Sequence, residues 1–224
     1  KELAATMASV GRILKRPVLA VVTDMEQPLG YAVGHTVEVI EAIETLKGRG
    51  PDDLHELCME LGGLALIEAG KAKSKEEAEA KLKELISSGK ALQTFAKLIE
   101  AQGGDSKVLE DYSLMPTAKL KKEFLVPGQA AETKWIAHID GRKIAEAAKV
   151  MGAGRTKKGD PIDLSVGLVL KGKCGDKLKG GEAAAIVYCN DEKQFEAACA
   201  KLREAFTFSD KEIAKPSLIK ATVK

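Results

Sequence analysis

The sequence predicts an α/β protein: part of a mixed-sheet α/β unit over residues 1–118, then a small β-rich unit over 119–224. Three observations predict it. The run Val18, Leu19, Ala20, Val21, Val22, Thr23 leads through a Gly- and Pro-punctuated loop into a helical pattern, the order of half an α/β unit. Helical periodicity then dominates to about residue 101. From Phe124 onward short apolar runs alternate with Gly-rich turns, the pattern of a small β-barrel or sandwich.

Taken in order, residues 3–10 carry small and apolar side chains at helical spacing and stop near Gly11. That helix is already under way at Lys1, so the chain is expected to begin inside a domain. Arg16 and Pro17 break the pattern. The run 18–23 lacks polar alternation, which predicts a strand covered on both faces, as in a parallel sheet. A helix follows from His35 to about Lys47 and stops at Gly48. Asp52 is expected to cap a helix ending near Leu61, where Gly62 and Gly63 allow close packing or a bend. Ser74 with Glu77 three residues on is a capping box, opening a helix to about Ile86. Another helix spans about 91–101. In the second unit, 135–139 predicts a strand and 143–151 a helix ending at Gly152, Ala153, Gly154, Arg155. Residues 162–164, 167–170 and 184–188 are further short apolar runs, with turn chemistry on both sides of Leu178 between the last two. A helix over about 193–205 and an extended tail over 216–223 close the chain.

Composition excludes several classes of function. Lys and Arg number 35 against 33 Asp and Glu, a formal charge of +2, so no field gathers nucleic acid or an anionic membrane. Aromatics at 4% leave little for a base-stacking surface. The longest apolar run, 18–22, falls far short of the roughly 20 residues of a membrane span. Cys58, Cys174, Cys189 and Cys199 show no CxxC spacing and form no zinc set with His35, His55 and His138. They read as free thiols of a reducing, cytoplasmic setting.

One segment invites chemistry. Pro28, Gly30 and Gly34 let the loop 24–34 turn carbonyls inward on one point. Carbonyls plus a carboxylate make a hard, oxygen-rich cation site, and Glu38 or Glu41 on the following helix can supply the carboxylate. That helix is rich in Val37, Val39, Ile40, Ile43 and Leu46, so an acid on its covered side needs a cationic or metallic partner. On composition alone the plainer reading comes first: Glu38, Glu41 and Glu44 are an exposed edge and the loop a connector. His35 reads as a hydrogen-bonded turn residue, and Asp52 and Asp53 as helix-start acids serving capping and the dipole. The Gly152–Arg155 glycines follow a helix rather than a strand, so they read as a helix stop with a structural arginine, not a phosphate loop. No nucleophile–base set is present.

The motif Thr23, Asp24, Met25, Glu26, Gln27, Pro28, Leu29, Gly30, Tyr31, Ala32, Val33, Gly34, His35, with Glu38, Val39, Glu41, Ala42 and Ile43 behind it, resembles the thymidine and pyrimidine nucleoside phosphorylases. The likeness continues through Leu46, Lys47, Gly48, Arg49, Gly50, Pro51, Asp52 and Asp53. Further matches are Ala101, Gln102, Gly103, Gly104, Asp105; Met151 to Arg155; and Asp163, Leu164, Ser165, Val166, Gly167. Order and spacing agree from about residue 3 to 220.

The resemblance implies phosphorolysis of a pyrimidine (deoxy)ribonucleoside to free base and pentose 1-phosphate, by a homodimer with a cleft between a helical and an α/β domain. It implies a C-terminal domain similar to a biotinyl or lipoyl carrier, although no lysine-bearing hairpin is evident and no prosthetic group is expected. The family's Lys-His-Ser-Thr-Gly-Gly phosphate loop and its base-recognising Arg, Ser and Lys precede the region matched here, so no residue of this chain inherits a catalytic or substrate-binding role. The N-terminal half of the enzyme is therefore an implied partner, with inorganic phosphate as co-substrate. What carries over is part of a monovalent cation site, potassium by the family's habit: the carbonyls of Leu29 and Ala32 and the carboxylate of Glu41, with the remaining ligands implied to come from the N-terminal half. This reverses the connector reading of the loop. His35 departs from the Asn common in the family. The alternative from a different class is an isolated binding or structural module derived from that family, without catalysis.

Overall fold

A computed structural model describes residues 1–16, 18–155 and 157–223. Pro17, half of the predicted break, lies outside the described residues. The first part holds α1 (Glu2–Ile13), β1 (Ala20–Thr23), β2 (Ala32–Gly34), α2 (Thr36–Leu46), α3 (Asp52–Glu68), α4 (Lys75–Ser87) and α5 (Lys90–Ala101). Two short 3-10 turns, Ser106–Leu109 and Tyr112–Leu114, lead on. The second part holds β3 (Leu120–Leu125), β4 (Thr133–Ile139), α6 (Gly141–Ala148), β5 (Gly167–Leu170), β6 (Lys177–Lys179), β7 (Ala183–Cys189), α7 (Glu192–Ala205), β8 (Phe206–Ser209) and β9 (Ile219–Val223).

Local chemistry accounts for most helix starts. Ser74 Oγ accepts the Glu77 N–H at 3.2 Å, while the Glu77 carboxylate takes the Lys73 N–H at 2.9 Å, one residue short of the reciprocal bond expected. Asp140 and Asp191 cap α6 and α7 in the same way. One helix end differs from expectation: α3 runs on through Gly62 and Gly63 to Glu68. The reason is packing on α4, since a Cβ at Gly62 would stand 3.1 Å from Leu82 and one at Gly63 3.7 Å from Ala78.

All strand pairs among the described residues are antiparallel, forming sheets ordered β1-β9, β2-β5-β7-β3 and β6-β4-β8. This corrects the mixed, partly parallel sheet expected from the run 18–23. β1 is half-buried along its length and pairs with β9, so its apolar run is a short ribbon rather than a strand covered on both faces. The β-rich part is two open sheets of four and three strands, not a closed barrel. One core fills the space between these two sheets and beneath α6 and α7, with Ile136, Ile139, Met151, Leu168, Val187 and Leu202 at or near zero exposure. Phe124 and Phe206 stack at 5.9 Å and join the edges of the two sheets. Residues 32–34 and 20–23 reach into sheets whose other strands follow residue 119, so the two parts are stitched together.

Candidate functional site

The loop 24–34 connects β1 to β2, and Glu41 turns back from α2 to close it. Glu41 Oε1 accepts the N–H groups of Tyr31 at 2.8 Å and Ala32 at 3.0 Å. One helical turn earlier, Glu38 accepts the Gly34 N–H at 2.8 Å. The register explains the bonds from Ala32 and Gly34. Leu170 donates to the Tyr31 carbonyl and Ala32 lies opposite Val169, which sets the N–H and C=O of Ala32 and Gly34 on the outer side of β2, away from β5. β2 is a sheet edge, and its outward donors are met by two acids of one helix face. Glu38 and Glu41 are thus neither an idle exposed edge nor a pair of free ligands.

The carboxyl of Glu41 is pushed above its ordinary range by burial first, against the pull of the Tyr31 and Ala32 N–H bonds. The Lys173 ammonium favours its ionised form but is itself paired with Asp53 at 2.8 Å. Glu41 is thus a half-buried carboxylate without full compensation, on the side of β2 to which the Ala32 carbonyl is turned.

Asp53 keeps part of its expected helix-start role, its Oδ1 accepting the Leu54 N–H of the first turn at 2.9 Å, and does more besides. α3 is preceded by Pro51 and has no side-chain N-cap; the second oxygen of Asp53 reaches back to the loop, accepting the Gly30 N–H at 3.1 Å and pairing with Lys173. Lys173 was not singled out by its sequence, because a lysine in a Gly-rich turn has the composition of a solvated loop. It is 8% exposed, its ammonium donates to the Pro28 carbonyl, and it stands 5.5 Å from the centre of the Tyr31 ring.

His35 is a turn residue as read, with Nε2 2.7 Å from the Ala153 carbonyl. That contact ties α2 to the wide turn over Lys149–Ala153 where α6 ends, so the glycines there form a helix stop. Arg155 is exposed.

Glu44 belongs to a separate knot. Arg49 donates to it at 2.7 and 3.0 Å, the Tyr112 hydroxyl donates to it, and Lys47 links Tyr112 and the Leu109 carbonyl. The Arg49 guanidinium, then the Tyr112 hydroxyl, holds its carboxyl down at about 2. Glu44→Gln is expected to cost about 1–2 kcal/mol at neutral pH. Because the folded-state pKa is depressed, the advantage of wild type is full above the ordinary value of 4.5 and fades as pH falls toward about 2. Urea denaturation of both proteins across that range checks it; a gap that stays constant to the acid end would contradict the assignment.

Two family models match the chain: the glycosyl transferase family a/b domain over residues 1–92, and the pyrimidine nucleoside phosphorylase C-terminal domain over residues 135–209. The chain belongs to the pyrimidine nucleoside phosphorylase family. It is 42% identical to a pyrimidine-nucleoside phosphorylase of Geobacillus stearothermophilus over 98% of its own length and 49% of that protein's. The corresponding enzyme of Bacillus subtilis is 45% identical over 85% of this chain and 43% of its own. That of Staphylococcus aureus is 39% identical over 97% and 49%. The chain thus spans about half the length of the curated relatives it matches.

Proposed function

We propose that this chain forms part of a pyrimidine nucleoside phosphorylase, catalysing reversible cleavage of pyrimidine (deoxy)ribonucleosides by inorganic phosphate to free base and pentose 1-phosphate. One observation carries the reading: the likeness to phosphorylases runs along 98% of the chain, through loop, helices and β-rich part alike. A stand-alone binding module would share one part and diverge in the rest, so that alternative is disfavoured.

In this reading the groups that touch phosphate, sugar and base lie on the N-terminal half of the enzyme, and this chain contributes the cation loop. Leu29 and Ala32 would offer carbonyls and Glu41 a carboxylate to a potassium-type ion. The ion would supply positive charge that ties the loop to the phosphate-binding segment, and the protein's own part is to hold those oxygens in place. What supports this is the under-compensated Glu41 carboxylate beside the outward Ala32 carbonyl. The intact enzyme is proposed to be a cytoplasmic homodimer. Among the described residues no helix is long and apolar enough to cross a membrane. The division into 1–118 and 119–224 stands as a proposal about sequence units, as does the likeness of the second to a biotinyl or lipoyl carrier.

The test is reconstitution. The chain is mixed with the N-terminal half of the Geobacillus relative and assayed for phosphate-dependent release of base from thymidine and uridine. Release is expected only from the mixture and only with phosphate. Base released by the chain alone would place catalytic groups within it and overturn the assignment; no release from a mixture that co-elutes as one complex would also count against it.

A further inference from the structure

Lys173 sits in the turn after β5, far in sequence from the loop 24–34, yet its ammonium is spent entirely on that loop and its surroundings. It donates to the Pro28 carbonyl, lies 2.8 Å from Asp53 Oδ2, and faces the Tyr31 ring. Two polar partners of the ammonium and an aromatic face are therefore supplied inside the protein, at a side chain only 11% exposed. Its own turn is held in register with the loop: the Cys174 N–H donates to Gln27 Oε1 at 2.9 Å, and the Lys173 N–H to Asp176 at 2.9 Å. Asp53 also accepts from Gly30, so a continuous chain of contacts runs from Lys173 through Asp53 to Gly30, next to the Glu41 carboxylate.

We infer that Lys173 is a positioning residue for the loop, fixing Leu29 and Ala32 relative to Glu41, so that the β-rich part of the chain shapes the candidate cation site. The physical reason is the cost of a buried ammonium. It must keep a carbonyl and a carboxylate within bonding distance, and Pro28 and Asp53 flank the residues that would bind the ion. A lysine serving only solubility would point to water. The inference rests on the phosphorylase reading for the ion alone; the pinning of the loop is independent of it.

The experiment separates the two. Amide hydrogen exchange is compared for the wild-type chain and Lys173→Met in choline chloride, with no potassium present. Gly30, Tyr31 and Ala32 are expected to exchange about tenfold faster or more in the variant, while Leu168 and Val187 keep their protection. Potassium chloride is then titrated at constant ionic strength into each chain reconstituted with the N-terminal half of the Geobacillus relative, while melting is followed. Half-maximal stabilisation should need about fivefold more potassium in the variant. Unchanged exchange at all three amides in a folded variant overturns the inference. A wild-type complex that answers potassium no differently from choline overturns the cation reading instead, and the exchange result on the chain still decides the pinning. Should Lys173→Met fail to fold, Asp53→Asn keeps the shape and removes the anion. Tyr31 and Ala32 are then expected to exchange about threefold faster or more, and no change would equally overturn the inference.

Discussion

Gly30→Ala is expected to expel the Glu41 carboxylate from the loop and to destabilise the chain by about 3 kcal/mol. A Cβ at residue 30 would stand 2.1 Å from Glu41 Oε2 and 2.9 Å from its carboxyl carbon, so the carboxylate must leave. With it go the bonds from the Tyr31 and Ala32 N–H groups, which then face a half-buried space with no acceptor. The backbone adds a second cost of roughly 1 kcal/mol, because φ at Gly30 is +66°, where an L side chain is disfavoured. The two costs separate in a double-mutant cycle. In a Glu41→Ala background the clash is gone, and Gly30→Ala should cost only the backbone term of about 1 kcal/mol. Urea denaturation of the four proteins measures the coupling. Equal costs in both backgrounds would show that the loop does not depend on Glu41, and would remove the main support for a cation site there.

Much of the helical part was legible because its signals are local. Ser74 with Glu77, and Gly48, each act within one turn of chain, and the helices they bound appear where expected. Strands with distant partners were harder to read. β3 carries Lys121, Lys122 and Glu123, and the apolar pattern predicts nothing before Phe124. β3 is an edge strand, where charges facing out are tolerated, and only Phe124 is buried. β8 follows α7 without a break, because Phe206 turns from helix to strand where it meets Phe124. β1 was legible as a strand but not as antiparallel, since its partner β9 lies at the other end of the sequence. The same distinction governs the site. Glu38 or Glu41 could be singled out as an acid on a largely apolar helix that needed a partner, and the family resemblance narrowed the choice to Glu41. Asp53 and Lys173 could not, because their significance is a contact across the fold: Asp53 looks like a helix-start acid and Lys173 like a solvated turn residue.

Ile136→Ala is expected to cost about 3–4 kcal/mol and to loosen the loop 24–34 as well, though Ile136 lies about a hundred residues from it in sequence. Ile136 is fully buried in β4, in the core shared by the two sheets. Its Cδ1 lies against Gly172, close enough that a Cβ there would come within 2.8 Å. Its backbone also holds the turn, donating to the Asp176 carbonyl and accepting from the Gly175 N–H, each at 2.9 Å. Truncation to alanine leaves those two bonds in place but opens a cavity directly beneath Gly172. The next residue is Lys173, whose ammonium must stay within bonding distance of Pro28 and Asp53. A floor that gives way under Gly172 lets the ammonium drift, and faster exchange at Gly30 and Tyr31 should follow at denaturant levels where the core strands remain protected. Leu202→Ala supplies the control: it is equally buried in the same core, on α7 rather than under the turn, and should cost about 2–5 kcal/mol without that local effect. If both substitutions loosened the loop to the same degree, the link would be global stability alone. If only Ile136→Ala did, the path from the β-rich core through the Gly172 turn to the loop would be the one that sets its geometry.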